Sequence, residues 1–180
     1  MGFHPLLMTT LDATDQGNNV VPRSFWRAAL RDATAEVFST MVGIQVTSPE
    51  VHNDVMVVAE PTDTAVLAYV TGVIGIAGAV RAVFSLRCSE HAAIRIASKM
   101  LGISEEEAAK QKSDAIGEMC NIVAGHFKHQ IGYGDNCTLT VPTVVVGGNY
   151  SIHCLQAGER LEFPVLYEGE TVLVTLDIRE

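Results

Sequence analysis

The sequence predicts an α+β fold, with long helices packed on a mostly antiparallel sheet. Three observations lead there. Apolar residues recur at helical spacing in segments whose ends carry cap residues. Valine-rich segments alternate loosely and are separated by short turns. One helical pattern also occurs twice at a constant offset, with no gap. With 180 residues, 48% of them hydrophobic and 18% charged, the chain suits one domain with a real core.

Residues 1–21 carry few periodic apolar positions, and Asp12-Ala-Thr-Asp-Gln-Gly-Asn-Asn19 is polar and turn-rich. They are expected to form an N-terminal arm, leaving 22–180 as the domain. The first helix is expected to start near Pro22-Arg-Ser24 with Ser24 as its cap, to run through Trp26, Leu30, Ala33, Val37, Phe38 and Met41, and to stop at Gly43. Short strands are expected at 46–47 and 55–60, then two more at 65–72 and 73–86, the second long.

Ser89 caps the next helix, which ends in lysine and glycine at Lys99 and Gly102. Ser104-Glu-Glu-Glu107 is a capping box opening a helix that runs to about Gly132, with a restart capped by Ser113 as the alternative. Strands are expected at 138–146, 150–154, 162–167 and 171–178. Gly147-Gly148-Asn149 and Glu168-Gly169-Glu170 supply the hairpin turns.

The net charge of −9, with 12 basic residues that never cluster in sequence, argues against nucleic acid or an anionic membrane as partner. Cys88, Cys120, Cys137 and Cys154 lie far apart with no CxxC pair, and no export signal is legible, so reduced thiols and a cytoplasmic location are expected. No apolar run reaches the roughly 20 residues of a membrane span.

The longest helix has two unlike faces. Ile116, Met119, Cys120, Val123, Phe127 and Ile131 fall on one side and are expected to be buried. Asp114, Glu118, Asn121, Gly125 and Lys128 fall on the other, with Glu118 and Asn121 as surface neighbours three residues apart. Gly117 and Gly125 each cost about 1 kcal/mol relative to alanine, so something should justify that cost, and close approach by another backbone is one candidate. Lys128 reads as a solvated lysine. His126 and His129 have a spacing that could serve a metal, but Cys120 points to the buried face, so no metal site is expected. Gly147-Gly148 lacks the setting of a nucleotide loop.

The repeat involves this helix. Asp32-Ala33-Thr-Ala-Glu36-Val-Phe-Ser39-Thr-Met-Val-Gly43 aligns with Asp114-Ala115-Ile-Gly-Glu118-Met-Cys-Asn121-Ile-Val-Ala-Gly125. Each copy is a helix followed by strands, which implies a diverged duplication about a pseudo-two-fold axis. Ser39 answers Asn121.

The setting Asp114-Ala-Ile-Gly-Glu118-Met-Cys-Asn121-Ile-Val-Ala-Gly125, together with the duplication, resembles the CheC/CheX family of chemotaxis phosphatases across most of residues 22–178. CheC-type members carry the Glu-x-x-Asn pair in both halves and CheX-type members only in the second. This sequence therefore resembles the CheX type. The resemblance implies dephosphorylation of an aspartyl phosphate on a CheY-like receiver domain. Asn121 would hold the attacking water, and Glu118 would pair with the receiver's lysine. It implies no cofactor of the chain's own, with Mg²⁺ on the receiver, and a homodimer joined through strands, for which the valine-rich 73–86 segment is the expected edge. Two readings of other classes stand beside it: a CheX-like module that docks a receiver without hydrolysis, and a purely structural domain.

Overall fold

The computed structural model describes residues 21–44, 68–148, 150, 152 and 158–179. The expected strands at 46–47 and 55–60, most of that at 150–154, and the arm apart from Val21 lie outside the described residues.

The first helix enters through a 3-10 turn at Arg23–Phe25, becomes α1 (Trp26–Val37) and ends in a π turn at Phe38–Val42. Gly43 stops it at φ 76°, a left-handed position that costs glycine little. Ser24 is not the cap as expected but lies inside the 3-10 turn. Pro22, with φ −55°, already sets the entry geometry.

β1 (Tyr69–Gly78) and β2 (Arg81–Ser89) form a hairpin. The expected break between 72 and 73 does not occur. The chain turns after Gly78, which has φ 128° and packs against the Asn136 carbonyl. Next comes α2 (Glu90–Leu101), where Ser89 Oγ accepts the amide of Ala92 at 3.0 Å and Gly102 closes the helix with φ 65°. The capping box is present, but it opens only one turn, α3 (Glu105–Ala108). The helix restarts as α4 (Lys112–Gln130) behind Gln111, with no side-chain cap from Ser113. Ala97, Ala108 and Ala115 pack together at this corner, small enough to let three helices meet.

Among the described residues, four strands follow: β3 (Cys137–Leu139), β4 (Thr143–Gly147), β5 (Glu159–Tyr167) and β6 (Glu170–Arg179). The single strand expected at 138–146 is split. Pro142 has no N–H for the ladder. Just before it, Thr140 is held by Gly75, its amide donating to the Gly75 carbonyl and its Oγ1 accepting the Gly75 amide, both at 2.9 Å. The β5–β6 turn has positive φ at both Glu168 and Gly169, the backbone of a type I′ hairpin.

The sheet is antiparallel, in the order β3-β1-β2-β6-β5, with β4 also paired to β1. One consequence corrects the expected dimer edge. β1 and β2 are both paired on two sides, so the valine-rich 73–86 segment offers no free edge. Among the described strands, β5 is the long one paired on a single side.

Inward-facing Val70, Ile74, Phe84, Leu86, Val174 and Leu176 form a buried floor. α4 lies on it, flanked by α1 and α2. All six residues expected on the buried face of α4 are fully buried. Phe127 meets Trp26 of α1 edge to face, with ring centroids 5.9 Å apart.

A charged cluster ties the β5–β6 turn to α2. Partial burial pushes the Glu170 carboxyl up, but hydrogen bonds from Ser89 and His91 and the charge of Arg95 outweigh it, holding the group below its usual 4.5. A depressed carboxylate contributes stability that is present above pH 4.5 and is lost as pH falls through the folded-state value. Glu170→Gln is therefore expected to lower urea stability at neutral pH and to converge with the parent protein in acid. Parallel pH curves would rule out this linkage.

Candidate active site

α4 presents its second face to solvent near its N-terminal half. Glu118 is exposed and Asn121 half-buried; as i and i+3 residues their Cβ atoms stand about 5–6 Å apart. Among the described residues, neither side chain makes a hydrogen bond or ion pair. A carboxylate and a carboxamide are thus presented together without an internal partner.

The first copy is arranged differently. Residue for residue, α1 and its π turn bury Ala33, Val37 and Phe38 where α4 buries Ala115, Met119 and Cys120, so the duplicated helices share one orientation. Glu36, the counterpart of Glu118, is engaged: Nδ1 of His126 lies 3.2 Å from its Oε2. Ser39 has a half-buried side chain with a shorter reach than asparagine. The copies also end differently, because Gly43 stops its helix while α4 runs on past Gly125.

The glycine expectation needs correction. A Cβ on Gly117 would make ordinary contacts with Val144 and Pro142, at 3.4 and 3.6 Å, and one on Gly125 would meet nothing within 4 Å. The close approach is made instead by Gly72 of β1. A Cβ there would collide with Cys120 Sγ and stand 3.2 Å from Ile116 Cγ2. Strand and helix can touch only because Gly72 has no side chain.

Other expectations resolve in turn. Lys128 is not a solvated lysine: its Nζ donates to the carbonyls of Gly134 at 2.7 Å and Cys137 at 3.0 Å, fastening the loop that follows α4. His126 faces Glu36 while the His129 ring packs against Gly134, so the two are engaged separately. Burial pushes the Cys120 thiol up to about 12, which leaves no thiolate nucleophile beneath the polar face.

One border of the site was not legible in the sequence. The Thr140-Val141-Pro142 link runs beside Gly117, with Thr140 tied to β1 and Val141 85% exposed. Pro142 was the available signal, since a proline interrupts a paired strand.

The family described as "Chemotaxis phosphatase CheX" matches residues 70–166, more than half of the chain and the part that contains β1, β2, α2, α4 and β5. The chain belongs to the CheX family. Solved structures agree in fold. A CheX-CheY-BeF3-Mg²⁺ complex from Borrelia burgdorferi aligns at TM-score 0.67 and 21% identity, covering 86% of this chain and 98% of that one. Chemotaxis protein CheX from Vibrio vulnificus aligns at TM-score 0.66 and 22% identity, covering 88% and 99%. A CheC-like superfamily protein from Shewanella sp. PV-4 aligns at TM-score 0.68 and 22% identity, covering 86% and 97%. Among curated proteins, none matches significantly. Among the described residues, no helix is long and apolar enough to cross a membrane.

Proposed function

We propose that this CheX-family chain is a phosphatase for the aspartyl phosphate of a CheY-like receiver domain, acting in chemotaxis or a related two-component pathway from the cytoplasm. The observation that carries the reading is the pair Glu118 and Asn121, adjacent on an open helix face and without partners among the described residues. The Borrelia CheX in complex with CheY supports the choice of partner.

The chemistry asks little of the protein. An acyl phosphate is already activated, so the main task is to place a water in line with phosphorus, an orientational effect. The Asn121 carboxamide suits this because it donates and accepts hydrogen bonds and carries no charge to repel the phosphoryl group. Glu118, three residues away, provides a charge for the receiver's lysine without facing the phosphate. The open space over Gly125 leaves room for a partner's loop. Mg²⁺ belongs to the receiver, and the chain brings no cofactor of its own.

Glu118→Gln tests the docking role. Loss of a charge-assisted contact is expected to raise KM for the phosphorylated receiver about tenfold, with kcat changed less. A fall in kcat at unchanged KM would remove Glu118 from docking. The second reading, a module that docks a receiver without hydrolysis, rests on the first copy, where the helix persists and the asparagine does not. For the homodimer, β5 replaces 73–86 as the candidate edge.

A further inference from the structure

Beyond the far end of α4, whose last residue Gln130 is about 13 Å along the helix axis from Asn121, three arginines converge on a cavity of about 280 Å³. They are Arg23 from the 3-10 turn, Arg81 at the start of β2 and Arg179 at the end of β6. The β1–β2 turn Gly78-Ala79-Val80 and the rings of Trp26 and Tyr133 complete the wall. Among the described residues, the lining contains no aspartate or glutamate.

One feature of this cluster is unfavourable without a ligand. Among the described residues, the Nε of Arg179 is buried with no hydrogen-bond partner, and an orphaned charged donor carries a desolvation cost. Arg23 has its guanidinium carbon 5.5 Å from the centre of the Trp26 ring, held beside the opening. In a chain of net charge −9, such a convergence of positive groups is against the general trend.

We propose that this cavity binds a small phosphate-type oxyanion, at a site separate from the Glu118–Asn121 face. A tetrahedral dianion presents oxygens in several directions and so can meet forks from more than one guanidinium, whereas a single carboxylate satisfies one. The volume accommodates an inorganic phosphate or a small phosphate monoester.

Trp26 is the single tryptophan of the chain and lines the cavity, so its fluorescence reports directly. Titration of the whole protein with sodium phosphate, at ionic strength held constant with sodium chloride, is expected to give a saturable change in emission. In Arg23→Gln/Arg179→Gln the apparent affinity is expected to fall at least about tenfold, as loss of charge-assisted contacts implies. Should the double variant lose its fold by circular dichroism, Arg23→Gln alone, at an exposed position, carries the test with a smaller loss. A parallel titration with glycerol 3-phosphate tells a free-ion site from an ester site by which saturates more tightly. A flat titration of the folded parent protein overturns the proposal, as does a saturable response of unchanged affinity in the variants. Neither outcome bears on hydrolysis at Asn121, so the two proposals fail independently.

Discussion

Asn121→Ala is expected to reduce acceleration of receiver dephosphorylation by about 100-fold or more, while leaving folding and receiver binding nearly intact. The magnitude follows from the cost of removing one group that orients or stabilises the reacting atoms in an excluded site. The selectivity follows from the structure: Asn121 is half-buried on the solvent face of α4 and holds no described neighbour, so its truncation leaves no internal hydrogen bond unmade. Asn121→Asp is expected to be no better, since its charge repels the phosphoryl group. The measurement is the single-turnover decay of a phosphorylated receiver, with binding followed separately. Unchanged decay with Asn121→Ala would remove the residue from the chemistry.

Gly72→Val is expected to destabilise the fold by about 3 kcal/mol, the upper end of the usual overpacking cost. For a domain of this size that is a fall in Tm of roughly 6–12 °C. A Cβ at position 72 collides with Cys120 Sγ and crowds Ile116, both on the buried face of α4, and a branched side chain adds to the conflict. α4 must then lift from β1, and the polar face moves with it. The milder Gly72→Ala offers a cleaner version, because Cys120→Ala removes the sulfur it meets. The double variant is expected to recover part of the lost stability, a coupling that a double-mutant cycle in urea reads directly. Additive losses would show that strand and helix do not meet at this point.

The parts of the fold that local chemistry dictates were legible in the sequence. Ser89, Ser104 with Glu107, Gly43 and Gly102 each do at their helix ends what their residue types suggest, because a cap satisfies backbone groups within a few residues. The buried face of α4 was legible for a similar reason, since helical periodicity is a property of one segment. Features set by distant contacts were not. The strand break placed at Gly72 belongs at Gly78: both are glycines in valine-rich sequence, and only the approach of α4 to one and the Asn136 loop to the other tells them apart. Lys128 gave no sign of its task because the carbonyls it holds lie in the loop after α4 and at the start of β3, whose positions depend on tertiary packing. The central position of β1 and β2 is likewise a matter of sheet order, which alternation within a strand does not encode.

The candidate site shows the same division. The helical spacing of Glu118 and Asn121 and their counterparts Glu36 and Ser39 could be read from the repeat. The engagement of Glu36 by His126 could not, since it depends on how α1 packs against α4. That contact sharpens the difference between the copies: one glutamate is held by the fold, and the other is exposed and makes no hydrogen bond or ion pair among the described residues.

The most direct test of the central claim is the decay rate of a receiver's aspartyl phosphate with and without the intact protein, at a concentration where binding is shown to be complete. Acceleration over the receiver's own rate is the expected result. Full binding with an unchanged decay rate would contradict it and leave the chain as a docking module.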